Sequence, residues 1–180
     1  MPSTLVLIGL RVSGKTTLGK RVARDLGRPF IDLDDRVAAH FGVAAAGEAL
    51  TEHGIDAFRA AETECLRDAL SATGSILSLG GGTPTAPGAA DALRSARDAL
   101  VAYLHAHPRT LAARLTAIGS ASRPSLTGKD PAAEFEEVYA ERNPLYTDIA
   151  DEVIDADDWD EDRLANELMT ALRAYEASAD

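Results

Sequence analysis

A glycine-rich segment near the start of the chain has the residue types and spacing that bind a triphosphate. Residues 9–16 read Gly-Leu-Arg-Val-Ser-Gly-Lys-Thr, which matches the phosphate-binding loop pattern. In such a loop, backbone N–H groups at a helix start point at phosphate oxygens, the lysine adds a positive charge, and the threonine hydroxyl can ligate Mg²⁺. The pattern predicts a nucleoside triphosphate site. The expected contact residues are Arg11, Val12, Ser13, Gly14, Lys15, Thr16 and Thr17.

Two carboxylates, Asp32 and Asp34, follow a second apolar segment and suit metal and acceptor positions. If strand alternation continues through them, both side chains point to the same side. One carboxylate can then hold a Mg²⁺-bound water, while the other accepts a hydrogen bond from an acceptor hydroxyl. The structural alternative is that Asp34 and Asp35 cap the helix that follows.

An arginine and a glutamate one helical turn apart, Arg59 and Glu62, have two interpretations. Their spacing alone favours an ordinary surface ion pair. In the functional alternative Arg59 binds a substrate carboxylate, because a guanidinium group matches that shape with two parallel hydrogen bonds. Further along, three glycines at residues 80–82 follow a buried strand and let a ligand approach the backbone closely.

The elements that position these residues alternate between strand and helix. Apolar segments predict strands at residues 5–8, 29–32, 75–79, 100–104 and 152–154, and helical spacing marks residues 17–26, 57–72, 89–96 and 108–115. This alternation predicts an α/β fold, a three-layer doubly wound parallel sheet with ligands at the carboxyl ends of its strands. Residues 117–122 are small and nearly featureless and precede Arg123 and Pro124, which predicts a mobile flap.

Composition restricts the classes of partner. The 180 residues fit one domain, and the net charge of −11 argues against nucleic acid or an anionic membrane, which repel an acidic surface. Carboxylates are concentrated at residues 148–162 and indicate a solvated surface, with a divalent-ion cluster as a remote alternative. His105 and His107 are more typical of a loop than of a metal site.

The cellular compartment follows from weaker features. Cys65 is the one cysteine, so no intrachain disulfide is possible, and a reducing cytoplasm is expected. Its helical neighbours indicate a small buried thiol rather than a nucleophile. We identify neither a signal peptide nor an apolar segment of the length that spans a membrane.

In their order along the chain, these motifs resemble the shikimate kinase family, P-loop kinases related to the nucleoside monophosphate kinases. The matching features are residues 9–16, Asp32 with Asp34, Phe58-Arg59 with Glu62, the glycines at 80–82, Arg123-Pro124, and Arg142 with Leu145-Tyr146. The resemblance implies a five-stranded sheet ordered 2-3-1-4-5, a substrate-binding lobe at about residues 33–62, a lid at about residues 113–126, and a monomer. It also implies transfer of a phosphoryl group from ATP to the 3-hydroxyl of shikimate, giving shikimate 3-phosphate and ADP.

The resemblance assigns the phosphoryl-transfer roles to five residues. Lys15 and Arg123 would stabilise charge on the transferring group, and Arg123 would also contact ATP. Thr16 and Asp32 would position Mg²⁺, the latter through water. Asp34 would orient the acceptor hydroxyl and take its proton. These roles suit a reaction in which alignment and electrostatics supply most of the catalysis.

The resemblance also assigns the acceptor site. Arg59 and Arg142 would hold the shikimate carboxylate, and Glu62 would support Arg59 from behind. Gly81 and Gly82 would line the ring of the substrate. Two arginines acting on one carboxylate explain how an acidic protein binds an anion.

The chain departs from the family pattern at several positions. Val12 stands where the family usually has another loop glycine. The lid arginine falls on Thr116 when no gap is introduced, and Arg114 is close but offset. The region that commonly helps to hold adenine, residues 155–160, contains no cation.

Two other functions remain as alternatives. The first is a related kinase for another small hydroxylated carboxylic acid, of which gluconate is the nearest example. The second is a catalytically silent nucleotide-binding module, which would have little need for Asp34, Arg123 and Arg142 together. The absence of an Asn-Lys-x-Asp motif argues against a GTPase.

Overall fold

A parallel five-stranded sheet forms the centre of the molecule. The computed structural model describes residues 2–118 and 131–179. The strands are β1 (Thr4–Ile8), β2 (Phe30–Asp32), β3 (Ile76–Ser78), β4 (Ala99–His105) and β5 (Glu152–Asp155). Their order is β2-β3-β1-β4-β5 and every pairing is parallel. The fold class and strand order expected from the sequence are confirmed.

Helices cover both faces of this sheet. They are α1 (Lys15–Leu26), α2 (Leu33–Phe41), α3 (Ala46–Ser71), α4 (Ala89–Ser95), α5 (Pro108–Ile118), α6 (Pro131–Ile149) and α7 (Glu161–Ala179). A short 3₁₀ turn at Thr83–Thr85 follows the glycine segment. Helix α3 is broken at Gly54, whose φ of 80° and ψ of 168° are not helical. None of the helices in the described ranges is long and apolar enough to cross a bilayer.

Two apolar layers result from alternation along the strands. In β1, Val6 and Ile8 pack into one layer with the buried residues of α3, α4 and α6. Leu5 and Leu7 face the other layer, which α1 and α7 complete. All four side chains of this run have no exposed surface. Packing on both faces fixes the carboxyl edge of the sheet, from which the glycine loop and the polar segments leave.

Some boundaries differ from those expected. Helix α3 begins at Ala46 rather than near residue 57, because a first helical segment precedes the break at Gly54. Helix α5 continues through Ile118, so the first two residues of the expected flap are helical. The remainder of that flap, including Arg123, lies outside the described residues.

The burial of the single cysteine also differs from the expectation. Cys65 is only half-buried, which corrects the expected buried thiol.

Candidate active site

The phosphate loop joins β1 to α1 with the geometry that its glycines permit. Gly14 caps α1 with a left-handed φ of 101° and has no side chain to occupy the N–H groups of the first turn. Those groups and the positive end of the helix dipole suit phosphate oxygens. Lys15 is buried and curls over the loop, where its Nζ donates hydrogen bonds of 2.9 Å to the carbonyls of Gly9 and Leu10.

Val12 takes a backbone conformation that its side chain disfavours. Its φ is 58°, and it is the one non-glycine residue with positive φ in the part of the chain that the structure describes. For a β-branched residue this left-handed conformation is an outlier, with a strain of about 1–2 kcal/mol. The loop therefore keeps the backbone path that a glycine would give, in spite of the valine.

Asp32 stands at the junction of β2 and α2 and contacts the phosphate loop. Its Oδ2 accepts a hydrogen bond of 3.1 Å from the Thr16 hydroxyl, and its Oδ1 accepts one of 3.2 Å from the backbone N–H of Asp34. Asp32 is therefore the N-cap of α2. Strand alternation was the wrong basis for placing Asp34, because α2 already begins at Leu33. The capping alternative also named the wrong residues, Asp34 and Asp35, which lie in the first helical turn.

Asp34 nevertheless faces the space between the loop and the glycine segment. A Cβ on Gly80 would lie 2.5 Å from its Oδ1, so the carboxylate occupies the room that a glycine leaves. Removal of water by the surrounding protein raises the pKa of Asp34 to about 6, and repulsion from the Asp32 carboxylate adds to this shift. Lys15 acts in the opposite direction. The carboxyl group is thus poised to exchange a proton near neutral pH.

The arginine and glutamate of α3 form the ion pair that their spacing favours, but in a buried setting. Arg59 Nη1 and Glu62 Oε2 form an ion pair of 2.6 Å. The pair is not a surface feature, because Glu62 is buried and its Oε1 also accepts a 2.7 Å hydrogen bond from the Thr83 hydroxyl. A glutamate held from two sides fixes the direction of the guanidinium group, which lies against Gly82.

A second arginine reaches the same glycine from α6. Arg142 Nη1 donates a 2.8 Å hydrogen bond to the carbonyl of Gly81, and the Tyr146 hydroxyl donates another of 2.8 Å to that oxygen. Burial raises the pKa of Tyr146 to about 12, so this hydroxyl stays protonated. A Cβ on Gly82 would lie within 3.3 Å of both guanidinium groups. Arg142 Nε is buried without a hydrogen-bond partner among the described residues.

These residues border a cavity of about 400 Å³. Asp34 lies by Gly80 and close enough to Lys15 of the phosphate loop to interact with its charge, while Arg59 and Arg142 lie by Gly82. The apolar part of the wall consists of Leu10, Ala46, Leu50, Ile55, Phe58, Phe135 and Val138. This arrangement suits a small ring that carries a carboxylate and a hydroxyl group, with the hydroxyl directed towards the loop.

A second cavity, of about 520 Å³, lies on the other side of the loop. Its lining includes Arg114, which the sequence placed close to, but offset from, the expected lid arginine. Arg114 of α5 lies over the Trp159 ring at 5.3 Å from its centroid, and it donates hydrogen bonds to the carbonyls of Ala156 and Asp157. Its Nη1 is buried without a partner in the described ranges. Trp159 packs so closely on Gly14 that a Cβ there would collide with the indole.

A histidine and two carboxylates meet near this second cavity, at the ends of β4 and β5. One ligand atom from each of His105, Asp155 and Asp157 lies within 4.8 Å of the others. Each has a structural contact already: His105 Nε2 is 2.8 Å from the Tyr139 hydroxyl, and the carboxylates accept backbone N–H groups of Asp157 and His107. The group ties the loop that carries Trp159 to the start of α5.

Comparisons with known proteins point to one family of enzymes. A family model described as shikimate kinase matches residues 11–173. A shikimate kinase of Cupriavidus pinatubonensis is 36% identical over 169 residues, which cover 93% of this chain and 85% of that protein. A shikimate kinase 2 of an Enterobacter species is 37% identical over 179 residues, covering 99% of this chain and all of its own length.

Solved structures give the same result. A shikimate kinase from Acinetobacter baumannii, in complex with shikimate, superimposes with a TM-score of 0.85 at 26% identity and covers 96% of this chain and 93% of that one. A gluconokinase from Sinorhizobium meliloti covers 99% of this chain and 96% of its own, with a TM-score of 0.61 at 17% identity. The second likeness extends to the fold alone.

Proposed function

The chain belongs to the shikimate kinase family, and we propose how its residues carry out the ATP-dependent phosphorylation of shikimate. The product is shikimate 3-phosphate, with release of ADP. The observation that carries the residue assignments is the convergence of Arg59 and Arg142 on Gly82, in a cavity that also contains Asp34. This is the arrangement that a small hydroxylated acid requires if its hydroxyl group is to meet a phosphate.

Recognition of the acceptor rests on its carboxylate. Arg59 and Arg142 donate to the carboxylate oxygens, and Glu62 keeps Arg59 in place through a short ion pair. Gly81 and Gly82 leave room for the ring, since any side chain at Gly82 would meet the arginines. Because both arginines are directed by fixed partners, the acceptor is oriented as well as bound.

Asp34 acts on the acceptor hydroxyl. With a pKa of about 6 it is mainly ionised at neutral pH, so it accepts a hydrogen bond from the hydroxyl and takes the proton as the new bond to phosphorus forms. Its position beside the phosphate loop aligns the hydroxyl oxygen with the terminal phosphate. Lys15 stabilises the negative charge on that group during transfer.

Magnesium fits the oxygen donors beside the loop. The Thr16 hydroxyl and the Asp32 carboxylate are 3.1 Å apart, and oxygen ligands of this kind are those that Mg²⁺ prefers. When bound, the ion neutralises phosphate charge. Arg123 is assigned to the same phosphates through the family resemblance, since this residue lies outside the described ranges.

The nucleotide base is assigned to the second cavity. Arg114 and Trp159 present a guanidinium plane and an indole beside the start of α1, and both are surfaces on which a purine can stack. Residues 155–160 contain no cation, so Arg114 of α5 supplies the positive charge beside the base.

We further propose that the enzyme is a cytoplasmic monomer whose partners are ATP and its small acceptor. The lone cysteine supports a reducing compartment. The net charge of −11 supports the absence of nucleic acid and membrane partners. Analytical ultracentrifugation tests the monomer, which a stable dimer at micromolar concentration would reject.

A coupled assay of ADP release tests the acceptor. We expect ADP to form with shikimate and Mg²⁺, and not with gluconate, quinate or no acceptor. Efficient turnover of gluconate would favour the related hydroxy-acid kinase. If no ADP is released with any of the acceptors, a catalytically silent nucleotide-binding module would be favoured.

Calorimetry tests the carboxylate contacts. Arg59→Ala and Arg142→Ala should each weaken shikimate binding by about 2–4 kcal/mol, because a charge-assisted contact is lost, while ATP affinity changes little. Arg173→Ala, on the exposed face of α7, is the matched control. If ATP binding is lost in both variants while shikimate binding survives, the assignment of this cavity to the acceptor is wrong.

A further inference from the structure

Glu134 is a buried carboxylate without a role in the mechanism above. It lies in the first turn of α6 with only 1% of its side chain exposed. Its Oε1 accepts a hydrogen bond from Arg11 Nη2 in an ion pair. Because a buried carboxylate that loses its partner is strongly destabilised, this pairing restrains the positions of both side chains.

Arg11 belongs to the phosphate loop and connects it to the acceptor side. Its guanidinium group lies 5.1 Å from the centroid of the Phe135 ring, next to the ion pair with Glu134. Its backbone N would be 2.9 Å from a Cβ on Gly81, so the loop packs directly on the glycine segment. Arg11 therefore holds the loop against α6 through its side chain and against Gly81 through its backbone.

The pair also stands in the wall of the acceptor cavity. We propose that Glu134 is a positioning residue for phosphoryl transfer, which fixes the phosphate loop relative to the acceptor by holding Arg11. Its negative charge also balances Arg11, so the acceptor carboxylate is directed to Arg59 and Arg142 rather than to the loop. This inference rests on the proposed function.

Steady-state kinetics of Glu134→Gln test the proposal, because the change removes the charge and keeps the size. At saturating ATP and shikimate we expect kcat to fall by about 10-fold or more, since small displacements of aligned reactants are costly. The dissociation constant for ADP should stay near that of the wild type. Glu134→Asp keeps the charge on a shorter side chain and should give an intermediate kcat. Glu136→Gln removes the same charge from an exposed position of α6 and should leave kcat unchanged.

Circular dichroism and thermal unfolding separate positioning from stability. A lower Tm with a wild-type kcat would show that the pair supports only folding, and would overturn the proposal. If Glu134→Gln does not fold, a wild-type kcat in Glu134→Asp would overturn the proposal. An equal loss of kcat in Glu136→Gln would overturn it as well. If the wild-type protein itself releases no ADP with shikimate, the proposed function fails instead, and the two failures are distinguishable.

Discussion

Replacement of Asp34 by asparagine should slow the enzyme and stabilise the protein, with a definite dependence on pH. The folded protein raises the pKa of Asp34 from 3.8 to about 6, so the folded state binds this proton more tightly than the unfolded state does. The contribution of Asp34 to the free energy of unfolding is therefore greatest below pH 4. It falls as the pH rises from about 4 to about 6 and stays low above that range.

The size of the effect follows from the shift. A difference of about two pKa units corresponds to about 3 kcal/mol if it is fully expressed. Asp34 has substantial solvent exposure through the open cavity even though protein surrounds it on the other sides, and screening by water reduces the expected effect to about 1 kcal/mol. Asp34→Asn removes the charge, so we expect a gain of about 1 kcal/mol above pH 6 and little change near pH 4.

Urea unfolding at about pH 4 and about pH 8 measures this difference, and Asp68→Asn, on the exposed face of α3, is the control. Turnover by Asp34→Asn should fall by about 100-fold or more, and the rise of kcat through about pH 6 should disappear. A variant that loses stability at the higher pH, or that keeps near-normal turnover, would refute the assigned environment or the assigned role respectively.

Three further predictions concern the loop and its second cavity. Lys15→Ala should lower turnover by at least about 100-fold, because the charge on the transferring group is lost, and near-normal turnover in the coupled assay would reject the assignment. Val12→Gly should be more stable to urea than Val12→Ala by about 1 kcal/mol, because both variants lose the branched part of the side chain and only glycine also removes the Cβ that disfavours a left-handed φ. The usual order, with alanine more stable, would show that the loop is not strained. Trp159→Ala should weaken ATP binding by about 1 kcal/mol or more while shikimate binding is kept, since a stacking surface is lost, and unchanged ATP affinity in calorimetry would place the base elsewhere.

Sequence patterns predicted the centre of the sheet well, because β1, β3 and β4 are buried on both faces. An apolar run such as residues 5–8 has few structural alternatives when glycine and a helical pattern follow it. The patterns failed where a strand is short. β2 has only three residues, so alternation did not extend to Asp34, although the acidic residues after Asp32 carried the signal of a helix start.

Other parts of the site are tertiary and leave no local signal. The spacing of Arg59 and Glu62 is the same for a surface pair and a buried one, and only the contact with Thr83 distinguishes them. Arg114 and Trp159 are far apart in the sequence and meet because α5 packs beside the loop after β5. For this second cavity the sequence carried a compositional signal, because Trp159 is the one tryptophan in the chain and lies near a strand end.

The break at Gly54 divides α3 into two segments that contribute differently to the acceptor cavity. The segment after it carries Arg59 and is anchored in the core through Leu66, whose side chain is fully buried. The segment before it, residues 46–53, contributes Ala46, Gly47 and Leu50 to the wall of the acceptor cavity. Gly54 separates it from the rest of α3, and Ala49 packs it on the core. Substitutions there should change the shape of the cavity without moving Arg59 or Arg142. Redesign of this short segment should therefore alter acceptor selectivity while the phosphate loop and Asp34 stay in place.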